Sequence, residues 1–258
     1  MAAIRYRARH FDATGIWYVI GSEQKTHLNE CFSLSAALGD SKEGQCKHID
    51  FGLMVDEKGK KLASREGAGG LESFVDQLKL SAIEYLSQRY SPGDPTLPEL
   101  AEKIAISALI YTNFMQSRER NMEFIPDRMM KLDAQSGPYL QYTVVRLRKL
   151  LENLGNEAPQ PISKETLYSL PPVAHKIIDM INEFPAVIAS SAKRAAPHTL
   201  AEYLFKLSSH FNGLYSSGER MKDADENKKN AYRRIVRVVE QVVTRGLSIF
   251  NIQIPEKM

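Results

Sequence analysis

The sequence has 258 residues, but only two cysteines, Cys31 and Cys46, and a single tryptophan. The cysteines form no Cys-x-x-Cys pair and no histidine stands at ligand spacing, so neither a disulfide framework nor a structural zinc site is expected. No run approaches the ~18 consecutive apolar residues of a membrane span, and the first residues lack the apolar core of a secretory signal. We therefore expect a cytoplasmic chain with free thiols.

Neither positive nor negative charge is in large excess. The chain has 34 Lys and Arg against 31 Asp and Glu, a formal charge of +3, and 43% of its residues are hydrophobic. Such a composition is typical of a globular chain that can bury a substantial core and divide into two domains. The charge balance permits an anionic partner through local patches but does not require one.

Three segments near the start carry strand and helix signals. Ile16–Ile20 is a β-branched and aromatic run that Gly21 stops, which predicts a buried strand. Residues 23–38 predict a helix that Gly39 ends, and Ile49–Val55 predicts a second strand. Six residues of this helix are expected to share one broad face: Leu28, Cys31, Phe32, Leu34, Ser35 and Leu38. Strand, helix and strand make one α/β crossover unit.

Helical patterns dominate from Leu71 onward. A helix is predicted to about Arg89, and the breaker cluster Ser91–Pro95 indicates a boundary between a domain of residues 1–92 and a domain of residues 93–258. In the second domain, helices are predicted at about 97–117, 137–154, 172–183, 197–216 and 226–250, with prolines between them. The fold class is therefore mainly α, with a partial Rossmann-type α/β segment followed by an all-α helical bundle.

Two parallel strands do not make a stable open sheet by themselves. Strands of a parallel sheet need both faces covered and neighbours at their edges. We therefore expect that the missing strands lie in sequence outside this chain, or that the α/β segment is covered by the helical part or by a partner molecule.

A basic loop between two glycines follows the second predicted strand. Residues 59–67 contain Lys60, Lys61, Ser64 and Arg65. Cations with glycines that let the backbone approach closely are suited to a polyphosphate. A solvated surface loop is the alternative interpretation.

The same segment carries a family resemblance. His48-Ile-Asp-Phe-Gly-Leu-Met-Val and Lys61-Leu-Ala-Ser-Arg-Glu-Gly67 resemble the signature loop of arginyl-tRNA synthetases, which are class I enzymes. Val19-Ile-Gly-Ser-Glu-Gln-x-x-His27 is similar to another stretch of that family. Ser136-Gly-Pro-Tyr-Leu-Gln-Tyr142 resembles the opening of its DALR-type anticodon-binding domain, and the last four residues, Pro255-Glu-Lys-Met258, resemble the family's terminus. These motifs occur in the family's order and cover nearly the whole chain.

The resemblance implies a two-step reaction in which ATP, with Mg²⁺, and L-arginine give arginyl-adenylate, and the arginyl group then passes to tRNA-Arg. It assigns Lys61 of the loop a catalytic role, in which this lysine stabilises the departing pyrophosphate. Lys60, Ser64 and Arg65 would lie beside it. Positioning and charge neutralisation suffice for such chemistry. The usual loop has a second lysine that is missing here, and the cation that replaces it is left open.

The resemblance also assigns arginine or ATP binding to Gln24, His27 and His48. Gln24 could equally be an ordinary residue in the first turn of a helix, and His27 could simply pack on the helix face. The family's Tyr-x-x-x-Asp and His-x-Gly-His motifs would lie before Met1. We therefore expect the chain to be catalytically incomplete on its own.

Aromatic and basic residues share a face of the predicted helix at 137–154. Tyr139, Tyr142 and Arg146 stand at i, i+3 and i+7. Aromatic rings beside a guanidinium can receive unstacked RNA bases, and Gln141 could read a base edge. Aromatic residues at this spacing are also typical of a core, which is the alternative.

Two further residues complete the anticodon site that the resemblance implies. Tyr215 matches an aromatic position of the family, and Met258 matches its last residue. The basic segment 222–237 is either a solvated helix face or a contact for tRNA phosphates.

The sequence thus predicts an arginine–tRNA ligase family member that supplies the signature loop and anticodon recognition. The alternative is a freestanding, non-catalytic tRNA-binding or scaffolding protein derived from a synthetase. The expected partners are tRNA-Arg, ATP and L-arginine, without metal-ligating residues, a tightly bound cofactor or a membrane. The oligomeric state is left open, with a monomer expected for the full-length enzyme.

Overall fold

The structure is a computed structural model that describes residues 1–62, 71–87, 90–91, 93–132, 134–155, 160–217 and 221–258. The chain divides into two compact units. The first comprises Met1–Ala63 with Gln116–Phe124, and the second comprises Ser64–Met115 with Ile125–Met258. The predicted loop residues Ser64 and Arg65 lie outside the described residues.

The first unit contains the predicted crossover. Its elements are α1 (Ala2–His10), β1 (Ile16–Gly21), α2 (Lys25–Ala37), β2 (Cys46–Phe51), β3 (Met54–Val55) and β4 (Met122–Glu123), with a 3₁₀ turn over Ser22–Gln24 before α2. β1 and β2 are parallel, and their register runs from Ile16 opposite Cys46 to Gly21 opposite Phe51. The prediction of strand, helix and strand is therefore confirmed.

The second predicted strand is divided into two. β2 ends at Phe51, and the amide of Gly52 donates to the carbonyl oxygen of Arg118 over 2.7 Å. A Cβ at Gly52 would collide with the backbone of Arg120, so only glycine permits this close approach. Beyond it, Met54 of β3 pairs in parallel with Met122 of β4. The expectation of helices throughout the segment after residue 93 was wrong only at β4, whose residues belong to the first unit.

The predicted apolar face of α2 is only partly buried. Ser35 is fully buried, and the ring of Phe32 lies 5.0 Å from the ring of Tyr18. Leu34 and Leu38 are 51% and 60% exposed, so the predicted broad face is buried only in part. A sheet of two strands is too narrow to cover the whole face of a helix of this length.

An ion pair attaches α1 to the end of α2. Arg5 Nε and Nη2 donate to the two carboxylate oxygens of Asp40 over 2.6 and 2.9 Å, and Arg9 Nη2 lies 3.7 Å from the same carboxylate. The Asp40 side chain is only 3% exposed. The hydrogen bonds from Arg5 keep the pKa of Asp40 below its usual range.

The second unit is helical in the residues that the structure describes. Its helices are α3 (Leu71–Leu86), α4 (Leu97–Phe114), α5 (Pro126–Met129), α6 (Gly137–Leu154), α7 (Lys164–Tyr168), α8 (Pro172–Arg194), α9 (Pro197–Ser216) and α10 (Glu226–Ile249). The short helices α5 and α7 were not predicted. α3 packs against α4 within this unit. The domain boundary predicted near residue 92 stays a prediction.

Caps and proline positions explain where most of these helices begin. The side chains of Ser136 and Asp225 accept hydrogen bonds from the first turns of α6 and α10, and α8 and α9 begin at prolines. Pro185 lies inside α8, although the sequence predicted a helix end near it. The buried residues Ala174, Ile177 and Met180 keep α8 packed on the core on the amino-terminal side of this proline.

The core of the second unit lies between α6, α8, α9 and α10. Its fully buried side chains include Leu140, Val144, Leu147, Ile177, Leu204, Leu207, Phe211, Val236, Val239 and Val243. Gly246 of α10 permits close helix packing, because a Cβ there would collide with the side chain of Leu204. None of the described helices combines the length and apolarity needed to cross a membrane.

The Asp40 ion pair predicts a specific acid sensitivity. Because the folded-state pKa is lowered, the pair stabilises the first unit above the unfolded value of about 3.9, and this contribution is lost as the pH falls through the lower folded value. We expect Asp40→Asn to be less stable than the parent near neutral pH but to lose less stability on acidification. Urea unfolding followed by Trp17 fluorescence at several pH values checks this. Glu30→Gln, an exposed change on α2, is the control and should follow the parent.

Candidate functional site

The base of the basic loop is a tight hairpin. The carboxylate of Asp56 accepts hydrogen bonds from the amides of Lys58 and Lys60 over 2.9 and 2.8 Å, and the Asp56 amide donates to the Lys60 carbonyl over 2.9 Å. Gly59 has a φ of +75°, a conformation that glycine adopts without strain. The chain then returns antiparallel to β3, with Lys61 bridged to Val55.

This hairpin fixes where the loop cations begin. The backbone of Lys61 is held by its bridge and by the neighbouring hydrogen bond from the Leu62 amide to the Met54 carbonyl, 2.9 Å long. Lys60 and Lys61 are both exposed. The other two predicted loop residues, Ser64 and Arg65, lie outside the described residues, so their roles stay predictions.

The carboxyl ends of β1 and β2 bring several polar groups to one edge of the sheet. Gln24 lies in the exposed turn directly after β1, and the Ser22 hydroxyl in that turn donates to the Phe51 carbonyl over 3.0 Å. This edge is where open parallel sheets bind ligands. Gln24 is therefore placed as a binding residue requires, although it also fits the alternative of an ordinary first-turn residue.

Asp50 is a buried carboxylate at this edge that sequence analysis missed. It is 8% exposed, and its oxygens lie 3.5 Å from both Lys25 Nζ and Arg118 Nη2. Burial acts to raise the pKa of Asp50, but its backbone hydrogen bond and the two cations outweigh burial and lower it. The sequence showed that Asp50 belongs to the motif that begins at His48. It did not show the pairing with Arg118, because this pairing requires residues 116–124 to pack in the first unit.

The two predicted histidines have different surroundings. His48 lies on β2, and its Nε2 is 2.8 Å from the Ile20 carbonyl oxygen, so Nε2 must carry the proton and donate. Its Nδ1 is buried without a hydrogen-bond partner among the described residues. His27 is exposed on α2, where its Nε2 lies 3.7 Å from the sulfur of Cys31. The two rings are thus held by different contacts.

The second unit brings a predicted cation and a predicted ring into direct contact. The guanidinium carbon of Arg146 on α6 lies 3.9 Å from the ring centroid of Tyr215 on α9. Tyr215 is 39% exposed and Arg146 is partly exposed. Guanidinium groups attract the faces of aromatic rings, and both groups can stack on a nucleic-acid base.

Asn212 organises this contact and was missed by sequence analysis. Its amide nitrogen donates to the Tyr139 hydroxyl over 2.8 Å and to Thr143 Oγ1 over 3.2 Å, while its amide oxygen accepts from Arg146 Nη1 over 3.4 Å. One side chain of α9 therefore connects three residues of α6. A polar residue three positions before Tyr215 on the same helix face was the available signal.

The two tyrosines of α6 are not equivalent. The Tyr139 ring is tilted against Phe205 with a centroid distance of 5.4 Å, and it packs against the core, as the alternative interpretation required. Tyr142 is partly exposed. Tyr139, Tyr142 and Arg146 are all partly exposed and Tyr215 is exposed, but Tyr139 also packs against the core.

Gln141 does not face solvent. It is fully buried, and its amide nitrogen donates to the carbonyl oxygens of Gln253 over 2.7 Å and of Lys103 over 3.2 Å. The expectation that Gln141 reads a base edge is therefore corrected, because the carboxyl-terminal segment and α4 occupy its donors. Met258, at the end of the same segment, is partly exposed, and its place beside the anticodon site stays a prediction.

The predicted basic segment is not uniformly solvated. Arg233 is 3% exposed and donates through Nε and Nη2 to the Leu154 carbonyl over 3.0 and 2.8 Å. Its neighbour Arg234 is exposed. Arg233 therefore connects α10 to the end of α6. The predicted contact with tRNA phosphates could involve only the exposed cations of this segment.

Two known sequence families match successive parts of the chain. The family described as "tRNA synthetases class I (R), catalytic domain" matches residues 1–125, and the family described as "DALR anticodon binding domain" matches residues 140–258. Proteins named arginine–tRNA ligase from Latilactobacillus sakei and from an Exiguobacterium species are 29% and 30% identical over the whole chain. The chain spans 45% of the length of these relatives.

Solved structures show the same fold. The arginyl-tRNA synthetase of Plasmodium falciparum superposes on this chain with a TM-score of 0.82 at 21% identity. The match covers all of this chain and 44% of the Plasmodium chain. The Thermus thermophilus arginyl-tRNA synthetase superposes with a TM-score of 0.80 at 19% identity. This match covers 95% of this chain and 41% of the Thermus chain. The two matched families define a portion of a class I aminoacyl-tRNA synthetase. Among these, the chain belongs to the arginyl-tRNA synthetase family.

The burial of Gln141 predicts a local structural effect. In Gln141→Leu, the carbonyl groups of Gln253 and Lys103 lose this donor, and we expect the free energy of unfolding to fall by about 1–3 kcal/mol. Hydrogen exchange near Gln253 should also become faster. Gln253→Ala is the matched control, because it removes an exposed side chain but keeps the carbonyl oxygen. Equal exchange in both variants would show that Gln141 does not hold this segment.

Proposed function

We propose that this chain provides the signature loop and the tRNA-recognising bundle of an arginine–tRNA ligase, which attaches arginine to tRNA-Arg at the expense of ATP. The observation that carries the proposal is the contact between Arg146 and Tyr215 in the unit matched by the anticodon-binding family. The relatives are named arginine–tRNA ligases, which supports the substrate assignment.

The anticodon surface in this proposal consists of Arg146, Tyr215 and Tyr142. A base that leaves the stack of the anticodon loop would lie against the rings and the guanidinium, whose planar faces tolerate several bases. Asn212 holds Arg146 and the Tyr139 hydroxyl, so the surface is organised before RNA arrives. Met258 is proposed to border the surface.

The nucleotide side of the proposal rests on the hairpin that presents Lys61. Its ammonium group would neutralise the negative charge that develops on pyrophosphate as the arginine carboxylate attacks the α-phosphate of ATP. Lys60, Ser64 and Arg65 would line the same phosphates. Mg²⁺ would accompany ATP and supply further charge neutralisation.

Gln24, His27 and His48 are proposed for the arginine and adenosine side. Gln24 follows β1 at the edge where ligands of parallel sheets bind, and the buried Nδ1 of His48 can accept one hydrogen bond. The remaining contacts to arginine would come from residues outside this chain. The cytoplasmic location and a monomeric full-length enzyme stay predictions.

Removing the exposed stack should weaken tRNA binding. Base stacking is worth about 1–3 kcal/mol per base, so we expect Tyr215→Ala and Arg146→Ala each to weaken binding of tRNA-Arg by roughly 5- to 100-fold. Arg146→Lys keeps the charge but loses the planar group, and should lie between these variants and the parent. Fluorescence anisotropy with labelled tRNA-Arg measures the effect.

Two variants serve as controls for this experiment. Tyr168→Ala removes a ring that is 78% exposed elsewhere in the same unit, and Lys149→Ala removes an exposed cation of α6. Both should bind tRNA-Arg nearly as the parent does. If Tyr215→Ala and Arg146→Ala also bind like the parent, the anticodon surface is placed wrongly.

The chain alone should not activate arginine. We expect no arginine-dependent exchange of pyrophosphate into ATP, because the family's His-x-Gly-His and Tyr-x-x-x-Asp groups are supplied by sequence outside this chain. An isotope-exchange assay with a full-length arginyl-tRNA synthetase as positive control measures this. Clear exchange by the purified chain would contradict the expectation of incompleteness.

A freestanding tRNA-binding protein is the alternative function. It shares the exposed Arg146–Tyr215 contact, so tRNA binding does not separate the two. Gain of arginine-dependent pyrophosphate exchange when the missing catalytic groups are added would favour the ligase.

A further inference from the structure

The solvent-facing side of α10 carries three arginines. Arg234 and Arg245 are exposed and Arg237 is partly exposed, while the apolar residues of this helix are buried in the core of the second unit. At 100° per residue, the three positions lie within about 80° of one another around the helix axis. The three side chains therefore belong to one face, and we call Arg234, Arg237 and Arg245 the α10 stripe.

No carboxylate neutralises the α10 stripe in the described part of the chain. The two acidic residues of α10 are Glu226 and Glu240. Glu226 lies 3.4 Å from Arg233 Nη2 and 3.6 Å from Lys229 Nζ, and Glu240 accepts a hydrogen bond from Arg148 Nε of α6 over 2.9 Å. Both carboxylates are therefore occupied by other cations, and no ion pair among the described residues includes an arginine of the stripe.

The composition of the stripe favours phosphate as its ligand. The whole chain has a formal charge of only +3, so three arginines without carboxylates make this helix face locally basic. A guanidinium group stays charged at every physiological pH and can donate two parallel hydrogen bonds to one phosphate. Gln241 and Ser248, which lie on the same face, are exposed hydrogen-bonding residues.

The length of the stripe agrees with a row of phosphates. Eleven residues separate Arg234 from Arg245, which corresponds to about 16 Å along a helix. Phosphates of one strand in a nucleic-acid duplex recur about every 3.4 Å along the axis, so the stripe spans about five of them. A nucleic-acid backbone can therefore meet all three arginines at once.

The stripe lies beside the helix that carries the candidate anticodon surface. α6 packs against α10, and Arg148 of α6 pairs with Glu240 of α10. Arg237 precedes Glu240 by three positions, so it lies on the side of α10 nearest to this pair. Arg146, two positions before Arg148, contacts Tyr215 of α9 instead. α6 therefore separates the base-stacking contact from the stripe within one unit.

We propose that the α10 stripe binds backbone phosphates of tRNA and forms a second RNA contact, separate from the anticodon surface. Phosphate contacts supply affinity without reading the base sequence. This inference rests on the proposed function and divides RNA binding between two surfaces. It also replaces the predicted basic segment 222–237, because Lys229 and Arg233 of that segment have carboxylate partners and Arg245 lies beyond it.

The salt dependence of tRNA binding tests this inference. Each phosphate contact contributes about 0.7–0.9 to the slope of log K against log salt concentration. We expect the triple variant Arg234→Gln, Arg237→Gln, Arg245→Gln to lower this slope by about 2–3. Between about 50 and 200 mM KCl, the parent should then lose roughly 20- to 40-fold more affinity than the variant. Fluorescence anisotropy with labelled tRNA-Arg measures both quantities.

Two further triple variants serve as controls. Lys176→Gln, Lys193→Gln, Arg194→Gln removes three exposed cations of α8 and changes the net charge by the same amount, but should keep the slope of the parent. Replacing the three stripe arginines by lysine keeps the charges and should also keep the slope, with weaker binding because lysine lacks the planar fork. Circular dichroism checks that all variants are folded.

The outcomes separate this inference from the proposed function. Equal slopes for the glutamine variants of α10 and α8 overturn the inference, because net charge alone then explains any effect. A slope lost in the lysine variant also overturns it, because the charges are still present there. Tyr215→Ala should bind more weakly with the slope of the parent, and parental affinity in that variant would count against the anticodon surface alone. If the parent binds no tRNA-Arg, both proposals are wrong.

Discussion

The helical period of α6 determines which groups of the second unit can meet RNA. Leu140, Val144 and Leu147 are fully buried against the neighbouring helices, and this contact fixes the rotation of the helix about its axis. Successive residues turn by about 100°, so Tyr142 and Arg146 are directed away from the core. Any rotation of α6 about its axis that exposed Gln141 would also remove some of the buried leucine and valine side chains from the core. The core packing and the candidate RNA surface are therefore set by the same constraint.

Polar contacts then refine what the core has positioned. Asn212 hydrogen-bonds to Tyr139, Thr143 and Arg146, and Arg146 lies on the ring of Tyr215. A flexible arginine would lose conformational entropy when it met a base, and prior contacts reduce that loss. The candidate surface therefore combines a ring and a cation that are already held in place. This argues for a role in recognition rather than a chance exposure of polar side chains.

The first unit follows a different principle, because it is held by ionic and backbone contacts around a small sheet. Asp40 binds Arg5, and Asp50 lies between Lys25 and Arg118. These pairs connect elements that a two-stranded sheet is too narrow to join through apolar packing alone. The same narrowness leaves Trp17 and Val19 exposed.

The comparison of prediction and structure shows where local sequence was sufficient. Proline, glycine and capping residues located β1 and the long helices α4, α6, α9 and α10 to within a few residues, because helix ends depend on nearby side chains. The signature motifs also identified the family without any three-dimensional information. The candidate residues Tyr142 and Arg146 could be named in advance because periodicity and motif agreed on them, whereas Tyr215 was named from the family resemblance alone.

The tertiary structure decided everything that depends on distant segments. Gln141 is buried and bonded to Gln253, more than a hundred positions away, and the partners of Asp50 include Arg118, which follows α4 in the sequence. The exposure of Leu34 and Leu38 likewise depends on how little sheet lies beneath α2. Sequence alone therefore determined the elements and the family, since these follow from short-range chemistry. Which polar groups are buried, paired or free to meet a ligand was decided only by long-range packing.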